Sequence, residues 1–164
     1  MRSLLIIASL ALFLAGCAGP RFQTRGVNRQ LTPEQAAGRL AAIRGSMVLW
    51  GGRIVAIRNL RRTTQIQVLA YPLDYYQQPD ETGRPEGRFL VIKAGYLDPV
   101  DYAPGREVTV RGEVTELRQG RVGKASYLYP TITHGRIYLW PMSDVGYRRS
   151  GSAFHIGVGV MLGR

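Results

Sequence analysis

From Ser46 to Trp140, outside a long polar loop over Tyr75 to Gly87, the apolar residues recur at about every second position, interrupted by glycines and prolines. That period most restricts the fold, because a helix needs a recurrence of three to four and a half-buried strand needs two. Met47 to Asn59 is apolar and β-branched around Gly51-Gly52, a pair that predicts a bulge or a sharp coil. Thr64 to Tyr71 sets Ile66, Val68 and Ala70 against Gln65 and Gln67, and Arg88 to Ala94 carries Phe89, Leu90, Val91 and Ile92. Glu107 to Leu117 predicts Val108, Val110 and Val114 inside and Thr109, Arg111, Glu113 and Thr115 outside, with a second bulge near Gly112 where the parity slips toward Leu117. Gly120 reads as a turn, Ala125 to Tyr129 as a strand ended by Pro130, and Ile137 to Trp140 as another ended by Pro141. About five to seven short strands with glycine bends predict a mainly β fold, a small OB-like Greek-key barrel.

One short helix leads this region, over residues 33–44. Thr32 suits the N-cap, Pro33 the first helical position and Gln35 the reciprocal capping position; Ala36, Leu40 and Ile43 share a face, and Gly45 suits the stop. Before it, residues 17–30 mix Gly19, Pro20, Gly26 and Asn28 with Arg21, Arg25 and Arg29 and show no apolar period, which predicts a tether lifting the domain off a bilayer.

The first 16 residues make a leader. Met1-Arg2-Ser3 is a short positive start, and Leu4 to Ala15 is uncharged and apolar. That run suits a signal-peptide core and falls short of the roughly 20 residues of a spanning helix. Leu14-Ala15-Gly16-Cys17 then looks like a bacterial lipobox, with the chain's one cysteine as the lipidation site. An ordinary secretory signal with a nearby cysteine is the competing reading. With a single cysteine the mature domain has no internal disulfide and holds by packing. The expected covalent group is lipid on Cys17, with no other cofactor. A single acyl chain binds membranes marginally and two or more anchor firmly. Ala18 stands where an aspartate would commonly signal retention in the inner membrane, so its presence favours the outer membrane.

The chain carries a formal net charge of +11, and since Arg2 is the only charge before Cys17, the mature part carries +10. A basic domain raises nucleic-acid binding, but export argues against that partner. Anionic lipid headgroups or envelope glycans are the available alternatives, beside a simple solvated basic surface.

No constellation predicts catalysis or a metal. His134 and His155 are the only histidines, and a zinc site needs several convergent ligands. Asp98 before Pro99 reads as a structural turn residue bonding its own backbone, and Asp74 after Pro72-Leu73 likewise. Trp50, Tyr71, Tyr96, Tyr102, Tyr127 and Tyr129 form a candidate ligand face, since aromatics on an OB-like surface stack sugars. Core and rim packing is the favoured reading of the same rings. The tail, residues 143–164, reads as a loop followed by a strand over Phe154 to Leu162, pairing with the barrel or resembling a membrane-barrel strand.

The middle of the chain resembles the Slp family, starvation-inducible outer-membrane lipoproteins of Gram-negative bacteria. The resemblance is carried by Trp50-Gly51-Gly52-Arg53-Ile54, Tyr71-Pro72-Leu73-Asp74, Gly87-Arg88-Phe89, Tyr96-Leu97-Asp98-Pro99, Tyr102, Val108 to Gly112, Tyr127 to Pro130 and Leu139-Trp140. It spans Thr32 to Trp140, within a domain expected over 31–142. It implies an outer-membrane lipoprotein linked to starvation or envelope stress and brings no established reaction; the leading expectation is a periplasm-facing, non-enzymatic structural or interaction role, with a binding module for envelope glycan or anionic lipid as the alternative.

Overall fold

The structure, a computed structural model, describes residues 19–142. The leader, Cys17 and the loop and strand expected over 143–164 lie outside them. Thr32 opens the helical region with the expected reciprocal cap. Its Oγ1 accepts from Gln35 N and the Gln35 Oε1 accepts from Thr32 N, both at 3.2 Å. Helical residues then come as two pieces, α1 (Pro33–Ala37) and α2 (Leu40–Ile43). Gly38 caps α1 through its N–H to Ala36 O, and glycine is a poor helix interior residue. Ala36 and Ile43 are buried in the core.

Five strands follow: β1 (Met47–Asn59), β2 (Thr63–Tyr71), β3 (Arg88–Ala94), β4 (Glu107–Val122) and β5 (Ala125–Leu139). They close a barrel in the order β1-β2-β3-β5-β4, with β4 returning to β1. Among the described residues only β3 and β5 pair in parallel. The alternation expected a mainly β, OB-like barrel, and the chain forms one. Its interior is the inward face of the period-two pattern. Ile54, Ile66, Val68, Phe89, Val91, Val108, Val110, Val114 and Ile132 are all at most 1% exposed.

Several local expectations need correction. Gly51 and Gly52 hold regular register with Tyr71 and Ala70 on one side and Thr109 and Val108 on the other. The slip in β1 lies between Ile54 and Ala56 instead. The glycines serve close approach: a Cβ on Gly52 would overlap the Leu69 carbonyl, and one on Gly51 the Leu73 side chain. The irregularity expected near Gly112 is present, but the extra residue sits on β5 at His134 (φ 54°), while the parity slip toward Leu117 comes from Thr115. Gly120 is not a turn. It lies within β4 opposite Tyr127, and the hairpin turns at Gly123-Lys124.

Pro130 does not end a strand either. β5 runs continuously to Leu139, and residues up to Pro130 pair only with β4, since β3 joins at Thr131. A proline costs a sheet least where one side is unpaired. The segment Leu117–Val122 with Ala125–Pro130 is therefore a two-stranded arm extending the β4–β5 ladder past the closed barrel.

Candidate functional site

Two places on the outer face of the barrel are covered by other chain. The first is the start of β1, where Val48 to Gly52 are buried on both faces. Residues 19–30, read as a tether, lie along the barrel here. Phe22 is 8% exposed. Its N–H donates to Gln77 Oε1 at 2.7 Å and its carbonyl accepts from Gln77 Nε2 at 2.8 Å. The carbonyl of Gln77, itself buried, accepts from the Thr109 hydroxyl at 2.6 Å, and Thr109 Oγ1 in turn accepts from Trp140 Nε1 at 2.9 Å. Thr109, expected outside, is fully buried for this reason. The Arg21 guanidinium stacks over Tyr138 at 4.8 Å, Arg111 Nε donates to Gln23 O at 3.1 Å, and Asn28 N donates to Met47 O at 2.8 Å. Composition alone reads such a stretch as loose, whereas one buried aromatic and an amide that matches its backbone fasten it.

The second place is under the arm. A cleft of about 460 Å³ opens between the β4–β5 arm and the outer faces of β1, β2 and β3. Arg58, Gln65 and Gln67 line one wall, Arg118 and Arg121 the other, and Tyr129 closes the inner end. Leu90 lines it too; it is 4% exposed although it points away from the core between Phe89 and Val91. The walls are tied across the cleft. Gln67 Nε2 donates to Tyr129 Oη at 3.1 Å, and Tyr129 O–H donates to Arg121 O at 2.9 Å. Tyr127 Oη accepts from Arg88 N at 2.9 Å, so both arm tyrosines are hydrogen-bonded while their rings stack 4.7 Å apart. Burial pushes the Tyr129 phenol above its ordinary 10.0, with the Arg88 charge pulling the other way. Among the described residues, Arg118 of the three arginines is ion-paired, to Glu116 at 2.7 Å. The lining is basic and amide-bearing and contains no carboxylate.

The six aromatics of the candidate ligand face are not on one surface. Trp50 is buried against Phe89, edge to face at 5.3 Å, and its Nε1 donates to Leu31 O. Tyr71 lines a separate hollow of about 230 Å³ beside α1, with Glu86, whose carboxyl is pushed up by burial. Tyr96 is 70% exposed on the β3–β4 connection, and Tyr102 packs on the core edge. Tyr127 and Tyr129 stand in the arm, and Tyr129 alone lines the cleft. Asp98 Oδ1 accepts from Val100 N at 2.8 Å beside Pro99, and Asp74 Oδ1 from Gln78 N at 2.8 Å. Arg58, Arg118 and Arg121 went unnoticed in the sequence because they are scattered and look like solvated charges. The usable signal was parity: Arg58, Gln65 and Gln67 sit at outward positions flanking core residues on paired strands. Among the described residues no helix is long and apolar enough to cross a membrane.

The profile of the outer membrane lipoprotein Slp family matches residues 14–157. The chain is 27% identical over 143 residues to the outer membrane protein Slp of Escherichia coli, covering 85% of this chain and 76% of that one. It is 30% identical over 144 residues to the lipoprotein YeaY of the same organism, covering 85% of this chain and 73% of that one. A Haemophilus influenzae protein is 26% identical over 147 residues, covering 85% of this chain and 76% of its own length. No solved structure matches.

Proposed function

We propose, from the premise that the chain belongs to the outer membrane lipoprotein Slp family, that it is held on the periplasmic face of the outer membrane by lipid on Cys17. Its role there is structural or interactive, not enzymatic, in a stress- or starvation-linked envelope. The observation that carries this reading is the fastening of Phe22 and Arg21 to the barrel. Ala18, Gly19 and Pro20 alone separate Cys17 from Arg21. Four residue steps of extended chain reach about 14 Å. A lipid on Cys17 therefore holds the Arg21–Tyr138–Trp140 end of the barrel near the headgroups instead of letting the domain drift on a long leash. Arg21 and Arg25 are exposed at this end and suit an anionic lipid surface. The cleft supplies hydrogen-bond donors and charge, with no carboxylate or imidazole in its lining to move a proton, which favours a binding or scaffolding role over turnover.

Labelled palmitate incorporation and membrane fractionation in cells test the anchor. Wild type should take up label and fractionate with the outer membrane, and Cys17→Ala should leave an unlabelled, uncleaved precursor. Protease added to intact cells should spare the domain and digest it once the outer membrane is opened. Digestion in intact cells would contradict the periplasmic face. A second reading, a binding module for an envelope glycan or an anionic lipid, is favoured by one feature, the arginine-lined cleft.

A further inference from the structure

We infer that the cleft under the β4–β5 arm is a binding site for an acidic glycan, a hydroxylated chain bearing carboxylates, presented from the side away from the anchoring leaflet. The proposal rests on the lipid-anchored reading above for its direction only. The chemistry comes from the lining. Arg58 and Arg118 bring two arginines to one cavity with no carboxylate among its lining residues, and Arg121, on the other face of the regular arm strand, meets it through its backbone carbonyl, which accepts from the Tyr129 O–H. Guanidinium binds carboxylate with paired, charge-assisted hydrogen bonds. Arg118 is already held by Glu116, which fixes it in place, while Arg58 is exposed and, among the described residues, without an ion-pair partner. Gln65 and Gln67 add amides that both donate and accept, as sugar hydroxyls require. Gln67 is oriented by its bond to Tyr129 Oη, so its Oε1 is left to accept a hydroxyl. The volume, about 460 Å³, lies within the range of small-ligand sites and exceeds what a single bound ion needs. Arg61 and Arg62 on the β1–β2 turn and Lys124 at the arm's tip are exposed and extend positive charge beyond the cleft, which suits a chain longer than the cavity.

Position argues for a glycan over the headgroups of the anchoring leaflet. Arg21 stacks on Tyr138, and Tyr129 lines the cleft nine residues earlier on β5. That is at most about 30 Å of strand at 3.3 Å per residue, shortened by the bulge at His134, and still longer than the reach from Cys17 to Arg21. The anchored end and the cleft are thus the two ends of one ladder, and the leaflet that holds the first lies away from the second.

The test uses the full lipidated protein in detergent, titrated calorimetrically with hexagalacturonate, maltohexaose and dihexanoylphosphatidylglycerol. Hexagalacturonate should bind, more weakly as salt rises, with maltohexaose weaker by about tenfold or more. Arg58→Gln with Arg118→Gln should cost about tenfold or more in hexagalacturonate affinity at an unchanged melting temperature, and Arg25→Gln, at the anchored end, should cost nothing. If the double variant melts earlier, Arg58→Gln alone is read instead. No binding of hexagalacturonate, equal binding of maltohexaose, or retained affinity in the arginine variants overturns the site. Tighter binding of the short-chain lipid, lost in the same variants, overturns the glycan in favour of a headgroup. Failure of outer-membrane placement would appear in the fractionation and leave this titration unchanged.

Discussion

The two ends of the β4–β5 ladder are built from the same backbone and made to do different things. At the end covered by residues 19–30, both faces of the sheet are buried. Thr109 and Trp140 share a hydrogen bond under Gln77, and Phe22 closes the surface. At the arm, each strand pairs on one side only, Gln119, Arg121 and Ser126 are exposed, and hydrogen bonds through Tyr127 and the buried Tyr129 hold the arm to β2 and β3. The first arrangement resists change in its backbone, whereas the second leaves groups free to meet a ligand. Local stability of this kind varies within one fold, and binding elements come from the weaker part.

The glycines give the largest contrast. At Gly52 an added Cβ meets the backbone of Leu69, which cannot move without parting β1 from β2. Gly52→Ala should cost about 3 kcal/mol or more, the upper end for overpacking. At Gly120 an added Cβ comes 2.8 Å from the Tyr129 ring, a side chain that shifts at the expense of its hydrogen bonds to Gln67 and Arg121 but without parting two strands. Gly120→Ala should cost about 1 kcal/mol. Urea melts of the full-length proteins in detergent would compare them, and equal losses would break the contrast.

Next in size is the fastening itself. Phe22→Ala should cost about 2–4 kcal/mol, near the lower range for a buried aromatic, because Phe22 packs at the surface of the barrel. Gln77→Ala leaves the Phe22 N–H and carbonyl unpaired and should cost about 1–3 kcal/mol. Both should expose residues 19–30 to protease while the barrel stays folded. Protection retained in both variants would remove the claim that Phe22 and Gln77 hold this segment.

The arm has its own signature in alkali. The phenol of Tyr129 is raised above 10.0 in the folded protein, so the folded state keeps a proton that the unfolded state releases. Its contribution is complete below pH 10 and is lost as pH climbs through the raised value. Stability should fall over that window in wild type, and less steeply in Tyr129→Phe. Identical slopes would show that the phenol does not couple to folding.

The smallest effect belongs to Asp98. Its carboxylate accepts from Val100 N at an exposed turn. Water can replace that acceptor, so Asp98→Ala should cost about 0.5–1 kcal/mol. Asp98→Asn, which keeps an acceptor, should cost less, giving the order wild type, Asn, Ala in melting temperature.

The inner face of this barrel was legible because burial on one side forces a period of two. Ile66, Val68 and Ala70 against Gln65 and Gln67 is that rule read directly. What covers the outer face was not legible. Thr109 and Leu90 sit at outward positions, and only distant segments, Gln77 and Phe22 in one case and the arm in the other, make them interior. Gly120 misled for a related reason: its function is set by Tyr129 on the neighbouring strand. Pro130 misled because its effect depends on which side of the strand lacks a partner. The cleft arginines come from β1 and β4, far apart in sequence, and no local pattern joins them.

The central claim is that Phe22 fastens the anchored end close to the leaflet while the arm stands away. Energy transfer in reconstituted vesicles tests it most directly. Thr24→Cys and Lys124→Cys proteins, each carrying one donor dye, would be placed in vesicles with acceptor-labelled headgroups. The account predicts strong transfer from position 24, weak transfer from position 124, and a reduced difference once a flexible Gly/Ser insert is placed after Ala18. Equal transfer from both positions without the insert would contradict it.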